Sequence, residues 1–266
     1  CLAVEEARTK EALSPDKREL KGITLDEMAA LSTIKSPDLL EELHATAKQI
    51  KEYTYGNRIV TFAPLYITNF CKNECDYCAF RASNLDLPRT ELSLEQIANQ
   101  ARILVRQGHK RVLLVAGESY SKELGGFQYI LDAMKTLYSI KEGKGDIRRV
   151  NANIAPLSVE DFIRLREAGV GTYQCFQETY DPDVYKKHHL KGKKADYAWR
   201  ANVFDRANEA GIGDFGMGFL LGLADWRFEI LALKCHIAHI EELGSGAHTI
   251  SFPRIEPANG SEVSLN

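Results

Sequence analysis

Leu65-Tyr-Ile-Thr-Asn-Phe-Cys71-Lys-Asn-Glu-Cys75-Asp-Tyr-Cys78 passes from an apolar, strand-like run into three cysteines spaced C-x3-C-x2-C. The run begins near Phe62 and ends at Thr68, which predicts a strand with the thiols in the loop at its carboxyl end. The same rhythm repeats downstream. Runs at Arg111–Ala116, Arg149–Ile154, Thr172–Phe176, Asp214–Leu220 and His248–Phe252 predict further strands, separated by amphipathic helical patterns. Helix starts are marked by Ser93 with Gln96 three residues on, and by Ser158 before Glu160 and Asp161; Gly108, Gly169 and Gly211 mark stops. Strand–helix units in this order predict an α/β fold, a (β/α) TIM-type barrel or its open relative, with its chemistry at the carboxyl ends of the strands. The chain ends at Asn266 soon after the sixth strand, so the barrel is expected to be incomplete here, with the later units absent.

Upstream, Ser36 and Pro37 read as an N-cap and first helical position, and Leu39, Leu40, Leu43, Ala47 and Ile50 keep a helical period to Tyr53. Residues 1–55 are therefore expected to form a helical N-terminal extension and residues 56–266 the barrel. A chain of 266 residues with 44% hydrophobic and 27% charged residues fits one globular unit, and eleven Tyr and eleven Phe supply core material that a disordered chain lacks. The formal charge of −3 provides no general field for nucleic acid or an anionic membrane, so any partner must be recognised locally. Apolar runs such as Phe215–Leu221 are interrupted by Gly216 and Gly218 and fall short of the roughly 20 residues of a membrane span. The charges at Glu5, Glu6, Arg8, Lys10 and Glu11 leave no apolar secretory segment, which predicts a cytoplasmic protein.

Six cysteines are too sparse for a disulfide scaffold, and the crowding of three of them points to a metal. Three thiolates can hold three irons of a 4Fe-4S cluster and leave the fourth open to a non-protein ligand, an arrangement suited to catalysis. A closed zinc site is the rival, but it requires a fourth Cys or His, and the next cysteine along the chain is Cys175. Three unligated core cysteines are the bland alternative.

With Tyr77 as the aromatic residue before the last thiol, this loop resembles that of the radical S-adenosylmethionine (SAM) enzymes. The resemblance implies a 4Fe-4S cluster on Cys71, Cys75 and Cys78, with SAM chelated to the open iron. Other segments match the family's SAM-binding positions. Gly117-Glu118, ending the second strand, resembles the motif whose carboxylate holds the SAM amino group; a turn with a solvated acid is the alternative. Glu178, after the fourth strand, resembles the ribose-hydroxyl acceptor. Arg200 resembles the arginine that pairs with the SAM carboxylate, and a solvated surface arginine is its alternative.

Gly56–Val60, Ile147–Ile154, Phe176–Tyr180 and His248–Arg254 extend the resemblance to the tyrosine lyases, over about Gly56 to Ala258. These enzymes cleave the Cα–Cβ bond of L-tyrosine to p-cresol and dehydroglycine. One branch serves hydrogenase maturation and converts dehydroglycine to CO and cyanide at a second iron–sulfur cluster in a C-terminal domain; the other supplies thiamine synthesis. Gly56–Val60, Ile147–Ile154 and Gly246–His248 lean to the maturase, whereas Lys187–Lys194 looks more like the thiamine enzyme. Gln177, Ser251 and Arg254 are the implied substrate contacts, and His248 the implied ligand of an extra iron of the second cluster; a structural histidine is the alternative. Strand alternation puts Ser251 and Arg254 on opposite faces unless Pro253 bends the chain. The resemblance also implies a reductant such as ferredoxin or flavodoxin and partner maturation proteins. A noncatalytic, metal-stabilised scaffold is the reading from another class.

Overall fold

Each predicted strand forms, and the six lie side by side in chain order in one parallel sheet: β1 Ala63–Thr68, β2 Arg111–Ala116, β3 Arg149–Asn153, β4 Val170–Gln174, β5 Asp214–Gly218 and β6 Gly246–Ser251. The computed structural model describes residues 22–119, 125–261 and 263. Among them the helices are α1 Leu25–Ser32, α2 Pro37–Tyr55, α3 Leu94–Arg106, α4 Phe127–Ser139, α5 Val159–Glu167, α6 Pro182–His188, α7 Tyr197–Ala201, α8 Val203–Glu209 and α9 Trp226–Glu242. None is long and apolar enough to cross a membrane.

Local chemistry explains the boundaries. Ser93 and Gln96 form a reciprocal capping box at α3, and the Ser158 hydroxyl accepts from Asp161 N at α5. Gly108, Gly169 and Gly211 turn the chain out of α3, α5 and α8 at φ of 91°, 83° and 82°. Ser36 stands at the N-cap of α2, but its side chain makes no capping bond. β4 lies two residues earlier than predicted, because the turn at Gly169 returns the chain to the sheet at Val170.

Alternation along the strands divides the molecule in two. Leu65, Ile67, Val112, Leu114, Val150, Ala152, Tyr173, Phe215 and Met217 point outward into a core shared with Ile97, Ala101 and Val105 of α3 and Tyr129, Ile130 and Met134 of α4. The Tyr129 hydroxyl, buried in this layer, lies 2.8 Å from Leu92 O and 3.1 Å from Ile67 O, tying α4 to the end of β1. The intervening residues, among them Leu113, Val115, Asn151, Asn153 and Gln174, face an inner cavity of about 770 Å³. The N-terminal helices pack onto this body: α1 lies on α9, with Arg227 Nε donating to Ser32 O, and Lys51 and Tyr55 of α2 reach the cavity wall.

Candidate active site

Beyond Thr68 the chain leaves β1 and wraps over the carboxyl ends of the strands. Cys71, Cys75 and Cys78 border a cavity of about 180 Å³ there, together with Asn73, Gly117, Glu118, Glu178, Lys194 and Arg200. The loop sits so close to β2 that a Cβ on Gly117 would overlap the Phe70 carbonyl; glycine is required there by the loop's own backbone. Burial pushes the Cys75 thiol up to about 12 and raises Cys78 as well. A metal bound to these sulfurs offsets that penalty by holding them as thiolates. Among the described residues no three His, Cys, Asp or Glu side chains converge tightly enough to hold a single metal ion. Cys175 is buried, Cys235 is exposed on α9, and neither borders the cavity; Cys1 lies outside the described residues.

The charged residues opposite the thiols are ordered. Arg200 on α7, only 6% exposed, donates from Nε to Phe176 O at 2.7 Å and lies 3.2 Å from Glu118 Oε1 and 3.5 Å from Glu178 Oε1. Lys194 Nζ lies 2.6 Å from Glu178 Oε1, and Asn73 Nδ2 donates to Glu118 Oε2 at 2.6 Å. Burial alone would raise the Glu178 carboxyl, but Lys194 and Arg200 outweigh it and hold the group below the usual range. An adjoining cavity of about 320 Å³ shares Asn73, Glu118, Lys194 and Arg200 and is walled by Ala155, Pro156 and Trp199. A carboxylate for an ammonium, a guanidinium for a carboxylate and a second acid for hydroxyls thus face three thiols across one space.

Glu178 is the one non-glycine at positive φ among the described residues, at 71°. Glu229 of α9, 1% exposed, holds the turn behind it: its carboxylate accepts from the Thr179 hydroxyl and from Tyr180 N. The Tyr180 hydroxyl shares a 2.8 Å hydrogen bond with His236, which burial keeps neutral by lowering its pKa to about 4. Glu229→Ala is expected to cost about 1–3 kcal/mol in stability, because Thr179 and Tyr180 lose a buried acceptor. Denaturant unfolding checks this, with Glu229→Gln recovering most of the loss.

The segment from Lys187 to Lys194 clasps the cysteine loop. Glu74 N donates to Lys191 O, Leu190 N to Glu74 O and Asp76 N to His188 O. His188 Nδ1 lies 2.9 Å from Asp76, while the half-buried Tyr77 hydroxyl shares a 2.8 Å bond with His189, whose ring stacks on Tyr185. Tyr77 therefore backs the loop from outside the cavity. Lys194 N, at the end of the segment, donates to Asn73 Oδ1.

The implied substrate residues divide. Ser251 and the exposed His248 line the 770 Å³ inner cavity, which meets the thiol cavity at Asn153 and Phe176. Gln177 and Arg254 do not line either space. Gln174, Phe176 and Glu178 take the inward positions of their run, so Gln177 is turned to the helix side, where its Nε2 is buried without a partner. Thr249, Ser251 and Pro253 face inward, and Arg254 points to solvent, 3.7 Å from Glu256.

Residues 65–232 match the Radical SAM superfamily. The chain belongs to that superfamily. The structure of HydG, a maturase of the FeFe-hydrogenase, superposes with a TM-score of 0.89 at 44% identity, covering 96% of this chain and 54% of that one. HydG from Carboxydothermus hydrogenoformans gives 0.88 at 40% identity, covering 99% and 60%. The 2-iminoacetate synthase of Escherichia coli K12 is 32% identical over 241 residues, 90% of this chain and 61% of that protein. The chain thus spans about three fifths of the length of that relative. The radical SAM superfamily implies a 4Fe-4S cluster and SAM; the chemistry of the residues present fits both, since three thiols on one loop would hold the cluster and Glu118, Glu178 and Arg200 would complement the charges and hydroxyls of SAM. Asn73, Lys194 and Glu229 were not anticipated, although Asn73 lies inside the cysteine motif and Lys194 ends the lysine-rich run already singled out.

Proposed function

We propose that this chain carries the radical-generating barrel of a tyrosine lyase that cleaves the Cα–Cβ bond of L-tyrosine to p-cresol and dehydroglycine. The observation that carries the reading is the 40–44% identity to HydG across nearly the whole chain, with the thiols and the SAM-complementary side chains gathered at one cavity. The name of the 32% identical relative also supports it, since 2-iminoacetate is dehydroglycine. When bound, the cluster and SAM supply an electron and the 5′-deoxyadenosyl radical that removes a hydrogen from the substrate. The chain's residues bind and orient: Cys71, Cys75 and Cys78 hold the irons, Glu118 takes the SAM ammonium, Arg200 its carboxylate, and Glu178 the ribose hydroxyls. The inner cavity meeting this space takes the tyrosine, with Ser251, Asn151, Asn153 and Gln174 as polar contacts on its wall.

The higher identity to HydG favours hydrogenase maturation as the fate of dehydroglycine, through CO and cyanide at a second cluster, with His248 as a ligand of its extra iron. Supply for thiamine synthesis is the second reading, favoured by the match to 2-iminoacetate synthase. The test is p-cresol, measured by chromatography after anaerobic incubation of the reconstituted protein with tyrosine, SAM and dithionite. Formation of p-cresol is expected, and its absence beside active SAM cleavage would overturn the lyase reading. Carbon monoxide trapped on haem from the full gene product separates the two fates.

A further inference from the structure

Three sulfurs can share one cluster only if the loop that carries them is closed to a set width, and two separate devices hold that loop. The Lys187–Lys194 clasp takes its middle, where the backbone bonds fall on Glu74 and Asp76. Its two ends are tied by a residue that the chemistry above does not use. Arg89, half-buried, lies between the cysteines and α3 on no helix or strand. Its Nη1 donates to Asn69 O at 2.8 Å, ahead of Cys71, and to Phe80 O at 3.0 Å, past Cys78. Its Nη2 donates to Arg81 O at 2.6 Å and to Asn84 O at 3.1 Å. Every hydrogen on the two terminal nitrogens therefore meets a carbonyl.

These four acceptors are neutral, so the guanidinium contributes less a charge than a planar fork that bridges the chain on both flanks of the thiols. The Asn69 flank is locked further. Asn69 N donates to Thr90 O, Thr90 N to Asn69 Oδ1, and Asn69 Nδ2 to Pro88 O. The Phe80 flank leads to sulfur, since Phe80 N donates to Cys78 Sγ at 3.4 Å and Phe80 borders the thiol cavity. None of the residues tied by Arg89 belongs to the hydrophobic core, so the four bonds order the loop rather than the body beneath it.

We propose that Arg89 is a positioning residue for the iron–sulfur cluster: by tying Asn69 to Phe80 it closes the loop, presets the spacing of the thiols and keeps the Phe80 N–H on Cys78 Sγ. The proposal rests on the cluster occupying these thiols and not on the tyrosine lyase reading. Arg89→Ala and Arg89→Lys are reconstituted anaerobically with iron and sulfide beside the unaltered protein. Iron loss to a ferrous chelator is expected to be at least about tenfold faster from Arg89→Ala, the scale on which outer supports of metal ligands act. Arg89→Lys should recover part of this, because an ammonium offers three donors from one point and does not span four carbonyls. The midpoint potential of the cluster, from a titration followed by electron paramagnetic resonance, should move lower in Arg89→Ala, since hydrogen bonds to the sulfurs favour the reduced cluster. A role confined to folding would leave that potential in place. The urea midpoint of the iron-free protein should change little, because the tied residues lie outside the core. Iron loss from Arg89→Ala within about twofold of the unaltered protein, or an unchanged potential, overturns the proposal. If Arg89→Ala does not fold, Arg89→Lys carries the same two measurements, and loss at the unaltered rate overturns it equally. Failure of the unaltered protein to hold iron removes the cluster from this site and the proposal with it, whereas absence of p-cresol overturns the lyase reading alone.

Discussion

Replacing Cys75 with alanine is expected to abolish SAM cleavage and to leave the protein without its brown iron–sulfur absorbance. Cys75 is the most buried of the three thiols and sits in the middle of the loop, where its backbone bridges to His189 of the clasp. The clasp fixes the chain around the thiol, so the alanine variant should keep its fold while losing one iron ligand. With two thiols left, no iron–sulfur cluster of the three-ligand kind is held. Anaerobic reconstitution followed by iron analysis and assay of 5′-deoxyadenosine reads both effects, and circular dichroism confirms the fold. Cysteine-to-alanine changes at Cys175 and Cys235 should leave both readouts intact, since neither residue borders the cavity. Full cleavage by Cys75→Ala would remove the cluster from this site.

Arg200→Ala carries the second large effect. The guanidinium is buried between Glu118 and Glu178 and braces the Phe176 carbonyl, so its removal leaves two acids facing one another with only Lys194 and Asn73 to answer them. Breaking a buried pair in this way costs about 3–5 kcal/mol, mostly through the charge left unpaired. The loss should appear as a lower urea midpoint. SAM affinity should fall independently, because one charge-assisted contact worth about 1.5–3 kcal/mol is lost. Arg200→Lys separates the two effects: it keeps a cation for the acids but loses the fork that reaches Phe176 and a ligand carboxylate together. A variant with unaltered SAM affinity would move the carboxylate site elsewhere.

Strands and thiols were legible because each is written locally. Apolar runs of five or six residues, capping pairs such as Ser93 with Gln96, and three cysteines within eight positions need no tertiary information. Glu118, Glu178 and Arg200 were singled out by resemblance, and the fold gathers all three at one cavity. Other placements turn on parity. Gln177 stands next to Glu178, so alternation alone sends one of them away from the cavity, and the same rule separates Arg254 from Ser251. Asn151 and Asn153 were open to the converse reading: two amides alternating with the apolar Val150 and Ala152 mark the inward face. Glu229 could not be found in this way, because its role depends on a turn fifty residues earlier in the chain that α9 reaches only in the fold.

Asn73 stands between Cys71 and Cys75, yet its amide spans Glu118 on one side and Lys194 N on the other. The residues that would grip iron and those that would grip a nucleoside are therefore ordered by the same few atoms. Two ligands that share an ordering cost aid one another by equal factors, whichever arrives first. Iron binding would then tighten the nucleoside site, and a bound nucleoside would tighten iron binding by the same factor, so that metal assembly and cofactor retention would be linked through Asn73.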